Sequence, residues 1–194
     1  MRKILINEAD FAKALNVLGH IEEMKAIIQA RNWDGLERQS ELRCQEYAGE
    51  VDSHRISGVS LRPYQESLTT GLSAAVAKAT ALGARAIYFE FDTDYEWRSS
   101  FFICPAYPRQ WERLLGIDYL EEMEGPEMPT FAKIYGEFDA FTPRETTMES
   151  YLIARTFACF GRASQQITDA GFAIGIAFHD QGEIIQMCHG AEVF

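Results

Sequence analysis

Apolar residues recur every three or four positions in three long stretches of the chain, and this spacing predicts amphipathic helices. The first stretch covers residues 8–31 and the last begins after Thr142. The middle helix is expected to start at Pro63, because proline suits the first helical turn, and to run to Leu82. Gly83 follows directly, and glycine is the usual residue just beyond a helix end.

The helix after Thr142 carries the clearest start signal in the chain. Thr142 is a suitable N-cap, Pro143 suits the first position, and Glu145 stands where a capping box needs its acid. The helix is expected to end near Gly171. Its predicted buried stripe consists of Ile153, Phe157, Phe160, Ser164 and Ile167.

Other segments are less regular. Residues 34–48 predict a more polar helix and residues 108–117 a short one, whereas residues 49–61 lack a clear period and predict a loop or a short strand. Residues 119–131 contain two prolines and four glutamates, and we expect a loop there. Residues 131–138 are compatible with either helix or strand.

Two pairs of short segments are rich in β-branched and aromatic residues and predict β-hairpins. The first pair is 85–92 with 99–104, and the second is 172–179 with 184–189 across a turn at 180–183. Hairpins separated by helices indicate an α+β protein rather than alternating βαβ units. We therefore predict one domain over 1–194, with long helices packed on one face of a mainly antiparallel sheet of four or more strands.

The charge is concentrated in the middle of the chain. The formal net charge is −11, and residues 86–150 hold 14 acids but only 5 lysines and arginines. This field disfavours nucleic-acid binding, because phosphates are repelled, and it would attract a basic protein surface or a metal ion. A solvated surface with no partner is the alternative interpretation.

The sequence also indicates where the protein works. It has no apolar run of membrane-spanning length and no secretory signal, so no membrane association is expected. Four cysteines, at positions 44, 104, 159 and 188, show no short pairing spacing, which is typical of reduced thiols. We therefore expect a cytoplasmic protein; its oligomeric state is left open.

Four carboxylates follow one another at every second position, namely Glu90, Asp92, Asp94 and Glu96. In an extended strand they would share one face, with Phe89, Phe91, Tyr95 and Trp97 on the other. A calcium loop is not expected, because Trp97 replaces the required glycine and Ile103 replaces the closing glutamate. A protein-binding edge is the functional interpretation, with acids that steer the partner and aromatic anchors at an exposed hairpin tip.

Eight residues are therefore the candidates for partner binding. They are Asp92, Asp94, Tyr95, Glu96, Trp97, Glu121, Glu122 and Glu124.

Cysteine and histidine give no clear catalytic or metal pattern. The spacing of close ligand pairs that zinc sites favour is missing. Cys159 or Cys188 could form a nucleophile pair with His179 in space, whereas the adjacent Cys188 and His189 would point to opposite strand faces. Cys159 is more simply a small buried hydrophobic residue. Common catalytic motifs are missing as well, so no catalytic residue, cofactor or metal is assigned.

The segment AIYFEFDTDYEWRSSFFIC, read as strand, acidic turn and strand in a small acidic chain, resembles immunity proteins of bacterial polymorphic toxin systems. The resemblance covers residues 84–104 and the general layout. It implies a protein that neutralises a cognate toxin by capping the toxin's active or binding surface. Many toxins of that class are basic nucleases, which an acidic partner suits.

Two other functions stay open. One is an enzyme, hydrolase-like, with a cryptic pocket lined by carboxylates such as Glu90 and Asp92. The other is a self-associating structural protein, whose apolar end at residues 191–194 docks on a neighbour or on its own core.

Overall fold

The computed structural model describes residues 23–107, 118–138, 142–167, 171–179 and 184–188. The contacts divide the chain into two compact units. The first unit comprises residues 1–59 and 137–156, and the second comprises residues 60–136 and 157–194. One domain over 1–194 stays a prediction.

The described helices and strands follow in chain order. The helices are α1 (Trp33–Ala48), α2 (Glu50–Ser57), α3 (Arg62–Leu82), α4 (Pro129–Tyr135) and α5 (Pro143–Gln166). The strands are β1 (Ala86–Asp92), β2 (Arg98–Cys104), β3 (Glu121–Glu124), β4 (Ala173–Phe178) and β5 (Ile185–Cys188). Residues 23–29 are helical as well. No helix among the described residues is long and apolar enough to cross a membrane.

The first unit contains α1, α2 and the beginning of α5. The prediction of loop or strand over 49–61 is wrong, because α2 occupies most of that segment. Its first turn carries Glu50 and Asp52, whose charges favour a helix N-terminus. Only two of its eight residues, Ser53 and Ile56, are buried, so the helix is too short and too polar to show a hydrophobic period.

The second unit is built around a five-stranded sheet in the order β3-β2-β1-β4-β5. β1 pairs with β2, β2 with β3 and β4 with β5, all antiparallel, whereas β1 and β4 are parallel neighbours. The fold class is therefore α+β, as predicted, and both predicted hairpins form. The parallel pair that joins them was not predicted.

Strand β3 lies where a loop was predicted, so that prediction is wrong. Its residues Glu121–Glu124 pair with Ile103–Ser100 of β2. Three of its four residues are glutamates. The strand is held by backbone hydrogen bonds to β2 and not by an apolar side-chain pattern, which is why propensity does not reveal it.

One face of the sheet holds the aromatic core of the second unit. Phe89 stacks on Phe160 at 4.6 Å between ring centroids, and Phe91 meets the edge of Phe157 at 5.9 Å. Phe101, opposite Phe89, packs against α3 at Gly71. A Cβ at Gly71 would lie 2.8 Å from the Phe101 ring, so this close approach requires glycine.

The capping box of α5 is confirmed. The Glu145 backbone N–H donates to the Thr142 hydroxyl at 3.3 Å, and the Thr142 N–H donates to the Glu145 carboxylate at 3.2 Å. The predicted stripe is buried at Ile153, Phe157, Phe160 and Ser164, whereas Ile167 is only half-buried.

Three other helix predictions can be compared with the structure. The predicted helices 34–48 and Pro63–Leu82 are present as α1 and α3. The undecided segment 131–138 overlaps α4.

Some predictions fall outside the described residues. They concern 8–22 of the first predicted helix, the short helix 108–117, the turn 180–183, His189 and the apolar end 191–194.

Candidate functional site

The acidic turn between β1 and β2 has a defined backbone. The Asp92 carboxylate accepts hydrogen bonds from the backbone N–H groups of Asp94, at 2.9 Å, and Tyr95, at 3.1 Å. The backbone N–H of Arg98 donates a hydrogen bond to the backbone carbonyl of Tyr95 at 3.0 Å, and this bond closes the turn. Between them, Glu96 and Trp97 both have a φ of +57°, as the central residues of a type I′ turn do.

This turn corrects the predicted alternation of acids and aromatics. The strand ends at Asp92, so Asp94 and Glu96 do not continue the face that Glu90 and Asp92 begin. The period of two requires extended backbone, which the positive φ angles of the turn interrupt.

Trp97 is fully buried, so the expectation that it is exposed at the tip is wrong. Its ring stacks on Phe91 at 5.9 Å and meets the edges of Phe131 at 5.6 Å and Tyr135 at 5.9 Å. The last two rings belong to α4, which the sequence does not place beside the turn. Trp97 therefore supports the turn from the core, and its predicted role in partner binding stays a prediction.

Tyr95 behaves as predicted for an exposed anchor. Its side chain is 71% exposed, the highest value among the large aromatic residues described. The neighbouring Asp94 is also exposed, and its carboxylate accepts a hydrogen bond from the Tyr135 hydroxyl at 2.8 Å. The turn thus presents one aromatic ring on a backbone held from both sides.

The three glutamates of β3 do not share one surface. Glu122 and Glu124 are exposed and alternate with Glu121 and Met123. The Glu122 carboxylate accepts a hydrogen bond from the Ser100 hydroxyl at 2.8 Å, whereas Glu121 forms an ion pair with Lys78 of α3 at 2.8 Å. Glu121 is therefore separated from the other two by the sheet.

Arg98 links the turn to the segment that follows β3. Its guanidinium pairs with Glu96 and with Glu127, both at 3.3 Å. We call the group of Asp94, Tyr95, Glu96, Glu122 and Glu124 the acidic edge.

A second cluster lies where the parallel strands β1 and β4 end. His179 Nδ1 is 2.8 Å from a carboxylate oxygen of Glu90, and the other oxygen of Glu90 accepts a hydrogen bond from the Tyr88 hydroxyl. The backbone N–H of His179 donates a hydrogen bond to the backbone carbonyl of Phe91 at 2.9 Å, which holds the two strand ends side by side. Sequence reasoning missed this cluster, because Glu90 and His179 meet only through the parallel pairing.

Three cysteines among the described residues are buried free thiols, namely Cys44, Cys104 and Cys159. Burial raises the pKa of the Cys44 thiol to about 11, so this thiol is inert near neutral pH. Cys159 fits the interpretation as a small buried hydrophobic residue, and its pairing with His179 as a nucleophile stays a hypothesis. Within the described ranges, no three His, Cys, Asp or Glu side chains are grouped as a metal site would need.

Comparison with protein-family models, with curated proteins and with solved structures finds no match to this chain. The interpretation of the site therefore depends on its geometry and charge.

Proposed function

We propose that this protein is a binding module for a basic protein partner, which it recognises through the acidic edge. The observation that carries the proposal is the exposed Tyr95 ring on a rigid turn, flanked by the exposed carboxylates of Asp94 and Glu96. Rigid aromatic residues bind at a low entropic cost, and surrounding acids accelerate encounter with a basic surface. Glu122 and Glu124 extend the same negative field along β3.

We also propose the biological role that the resemblance to immunity proteins implies. In this role the protein resides in a bacterial cytoplasm and neutralises a basic toxin by covering part of the toxin's surface. A toxin that binds nucleic acid must carry a positive surface, to which the acidic edge is complementary. Trp97, Asp92 and Glu121 have supporting positions in this proposal, whereas the acidic edge makes the contact.

The long helices are proposed to cover one face of the sheet. Gly71 of α3 contacts Phe101, and Phe160 of α5 stacks on Phe89. Phe89 and Phe101 are direct cross-strand neighbours, whose side chains share a face. On the opposite face, Tyr88, Cys104 and Ala177 are buried in a second apolar cluster, so the part proposed to meet a partner is the β3 edge with the exposed Glu122 and Glu124.

Binding can be tested with an octalysine peptide as the basic probe. NMR shift changes are expected to concentrate on the acidic edge, and the Kd is expected to weaken steeply with added salt. The triple variant Glu96→Lys, Glu122→Lys, Glu124→Lys should weaken binding at least tenfold. Asp92 is left unchanged because its carboxylate holds the turn.

A matched control separates local recognition from net charge. Glu46→Lys, Glu50→Lys and Glu66→Lys reverse three exposed acids elsewhere and change the net charge by the same amount. If both triple variants weaken octalysine binding equally, the acidic edge is only a solvated surface and the proposal is wrong. Tyr95→Ala should weaken binding by about 2 kcal/mol without changing the salt dependence, as the loss of an anchor would.

A hydrolase-like enzyme is the second candidate, and one observation favours it. Glu90, whose other oxygen accepts from Tyr88, contacts His179 where two parallel strands end, as an orienting carboxylate holds a general base. Hydrolysis of p-nitrophenyl acetate would test this function. A rate that falls at least tenfold in both His179→Gln and Glu90→Gln, but not in His54→Gln, would support the enzyme, and equal rates in all variants would exclude this dyad as its centre.

A further inference from the structure

Glu90 shares a sheet face with Glu124 of the acidic edge, and His179 contacts Glu90 from the end of β4, on the side away from β3. Glu90 is directly opposite Ser100, and Ser100 is directly opposite Glu124, so these three residues form one row across β1, β2 and β3. Neighbouring strands are about 4.8 Å apart, which places Glu90 and Glu124 about 10 Å apart along the row. The charge at Glu90 is therefore within about one Debye length of the acidic edge.

The hydrogen bonds between Glu90, His179 and Tyr88 indicate which atom takes up an additional proton. An ionised carboxylate only accepts, so His179 Nδ1 carries the hydrogen that lies between it and Glu90. Tyr88 donates to the other oxygen, so both oxygens of Glu90 accept hydrogen bonds. A further proton therefore goes to Nε2 of His179, and it turns a negative Glu90–His179 pair into a neutral one.

We propose that His179 regulates the acidic edge in response to pH. Protonation of its imidazole offsets the negative charge of Glu90 and weakens binding of a basic partner. This inference rests on the proposed function and names the regulation of the same site. Imidazole side chains ordinarily titrate near neutral pH, so this regulation would act in the range that a cell can reach. The His179 side chain is 60% exposed, whereas Glu90 is 19% exposed. Solvent protons therefore reach the ring, while the carboxylate stays fixed.

The elements next to His179 in the described structure contribute few other charged groups that could affect its protonation. β1 contributes Glu90 and Asp92, with the Tyr88 hydroxyl, and β2 contributes Arg98 opposite Asp92. Residues 184–188, in the β5 segment, include no Asp, Glu, Lys, Arg or His, and Cys188 pairs in register with Ile174, at the end of β4 away from His179. The α5 residues on β1, Phe157 and Phe160, are uncharged and lie on the aromatic face.

The expected size of the effect follows from one elementary charge. The added charge lies on His179, about one strand spacing beyond Glu90 and therefore about 14 Å from Glu124. In water, a charge at about 14 Å changes the affinity by about 1.6-fold for one partner cation and by about threefold for two. At low salt, the Kd for octalysine should therefore weaken about 1.5- to 3-fold between about pH 8 and about pH 6, above the range in which Asp and Glu ordinarily titrate.

The test compares octalysine binding at both pH values in the full chain and in His179→Gln. Glutamine keeps a hydrogen-bond donor but cannot take up a proton, so its Kd should be the same at the two pH values. His54→Gln removes another exposed histidine from α2 and should keep the full pH dependence. NMR titration of His179 in the unbound protein should show a midpoint that moves down in Glu90→Gln, because the carboxylate favours the protonated ring.

The outcomes distinguish this inference from the proposed function. If octalysine binds the acidic edge with the same pH dependence in the parent protein and in His179→Gln, the inference is wrong and the proposed function stands. If octalysine does not bind the acidic edge at about pH 8, the proposed function fails first. Thermal unfolding of each variant shows whether a lost response reflects a lost fold.

Discussion

Tyr95 and Trp97 are two residues apart in one turn and have opposite environments. Tyr95 is 71% exposed, whereas Trp97 is fully buried against Phe91, Phe131 and Tyr135. The left-handed backbone at Glu96 and Trp97 makes this reversal possible within so short a segment. The turn therefore places one aromatic ring in solvent and uses the other as its own support.

The two aromatic residues should differ in their effect on stability. Trp97→Ala should lower the free energy of unfolding by about 3–5 kcal/mol, because a large buried ring is lost and a cavity remains. Tyr95→Ala should change it by less than about 0.5 kcal/mol. Urea denaturation of both variants measures the difference, and comparable losses would show that Trp97 does not support the turn.

The positive φ at Glu96 predicts a stabilising substitution. A residue with a Cβ costs roughly 1–2 kcal/mol in the left-handed region, and glycine avoids this cost at an entropic penalty of about 0.5–1 kcal/mol. Glu96→Gly should therefore raise the free energy of unfolding by about 0.5–1 kcal/mol. Glu124→Gly, in strand β3, should lower it. Equal changes in chemical denaturation would argue against a strained turn.

Arg155 of α5 is buried within the first unit and contacts both α1 and the segment at the end of α2. It is 8% exposed, and its guanidinium donates to the carbonyls of Ile56 and Val59, just where α2 ends, and pairs with Glu37 of α1 at 3.3 Å. One side chain thus binds two carbonyls at and just beyond the end of α2, the region where helix carbonyls lack intrahelical partners.

Removing Arg155 should be costly. Arg155→Ala should lower the free energy of unfolding by about 3–5 kcal/mol, since Glu37 and the two carbonyls lose a buried partner. Arg155→Lys should recover little, because an ammonium cannot reproduce the guanidinium fork. Arg144→Ala breaks a half-exposed ion pair with Asp52 and should cost less than about 1 kcal/mol. Similar losses for Arg155→Ala and Arg144→Ala in thermal melts would contradict this assignment.

Cys44 should make stability depend on alkaline pH. Burial raises the pKa of its thiol from about 9 to about 11 in the folded protein, so the unfolded chain loses this proton first. The stabilisation is complete below about pH 9 and falls as the pH rises to about 11, by about 2–3 kcal/mol in total. Cys44→Ala should flatten this part of the stability curve; an unchanged slope would show that the thiol does not titrate in this way.

Local signals in the sequence were sufficient for the elements that they specify. The capping box of Thr142 and Glu145 predicted the start of α5, and the 3.6-residue period predicted its buried Phe157 and Phe160. Strands β1 and β2 followed from their β-branched and aromatic residues. These signals are local because each one reflects hydrogen bonds or packing within a few residues of the chain.

Tertiary contacts decided the rest of the candidate site. β3 forms because β2 offers a backbone edge, Trp97 is buried because α4 returns to cover the turn, and Glu90 meets His179 because β4 pairs in parallel with β1. None of these contacts is encoded by neighbours in the sequence. The sequence by itself determined α1, α3 and α5, the two hairpins and the acidic charge. Only the packing of distant segments decided which acids face solvent and which side chains meet, since a side chain's environment depends on what folds against it.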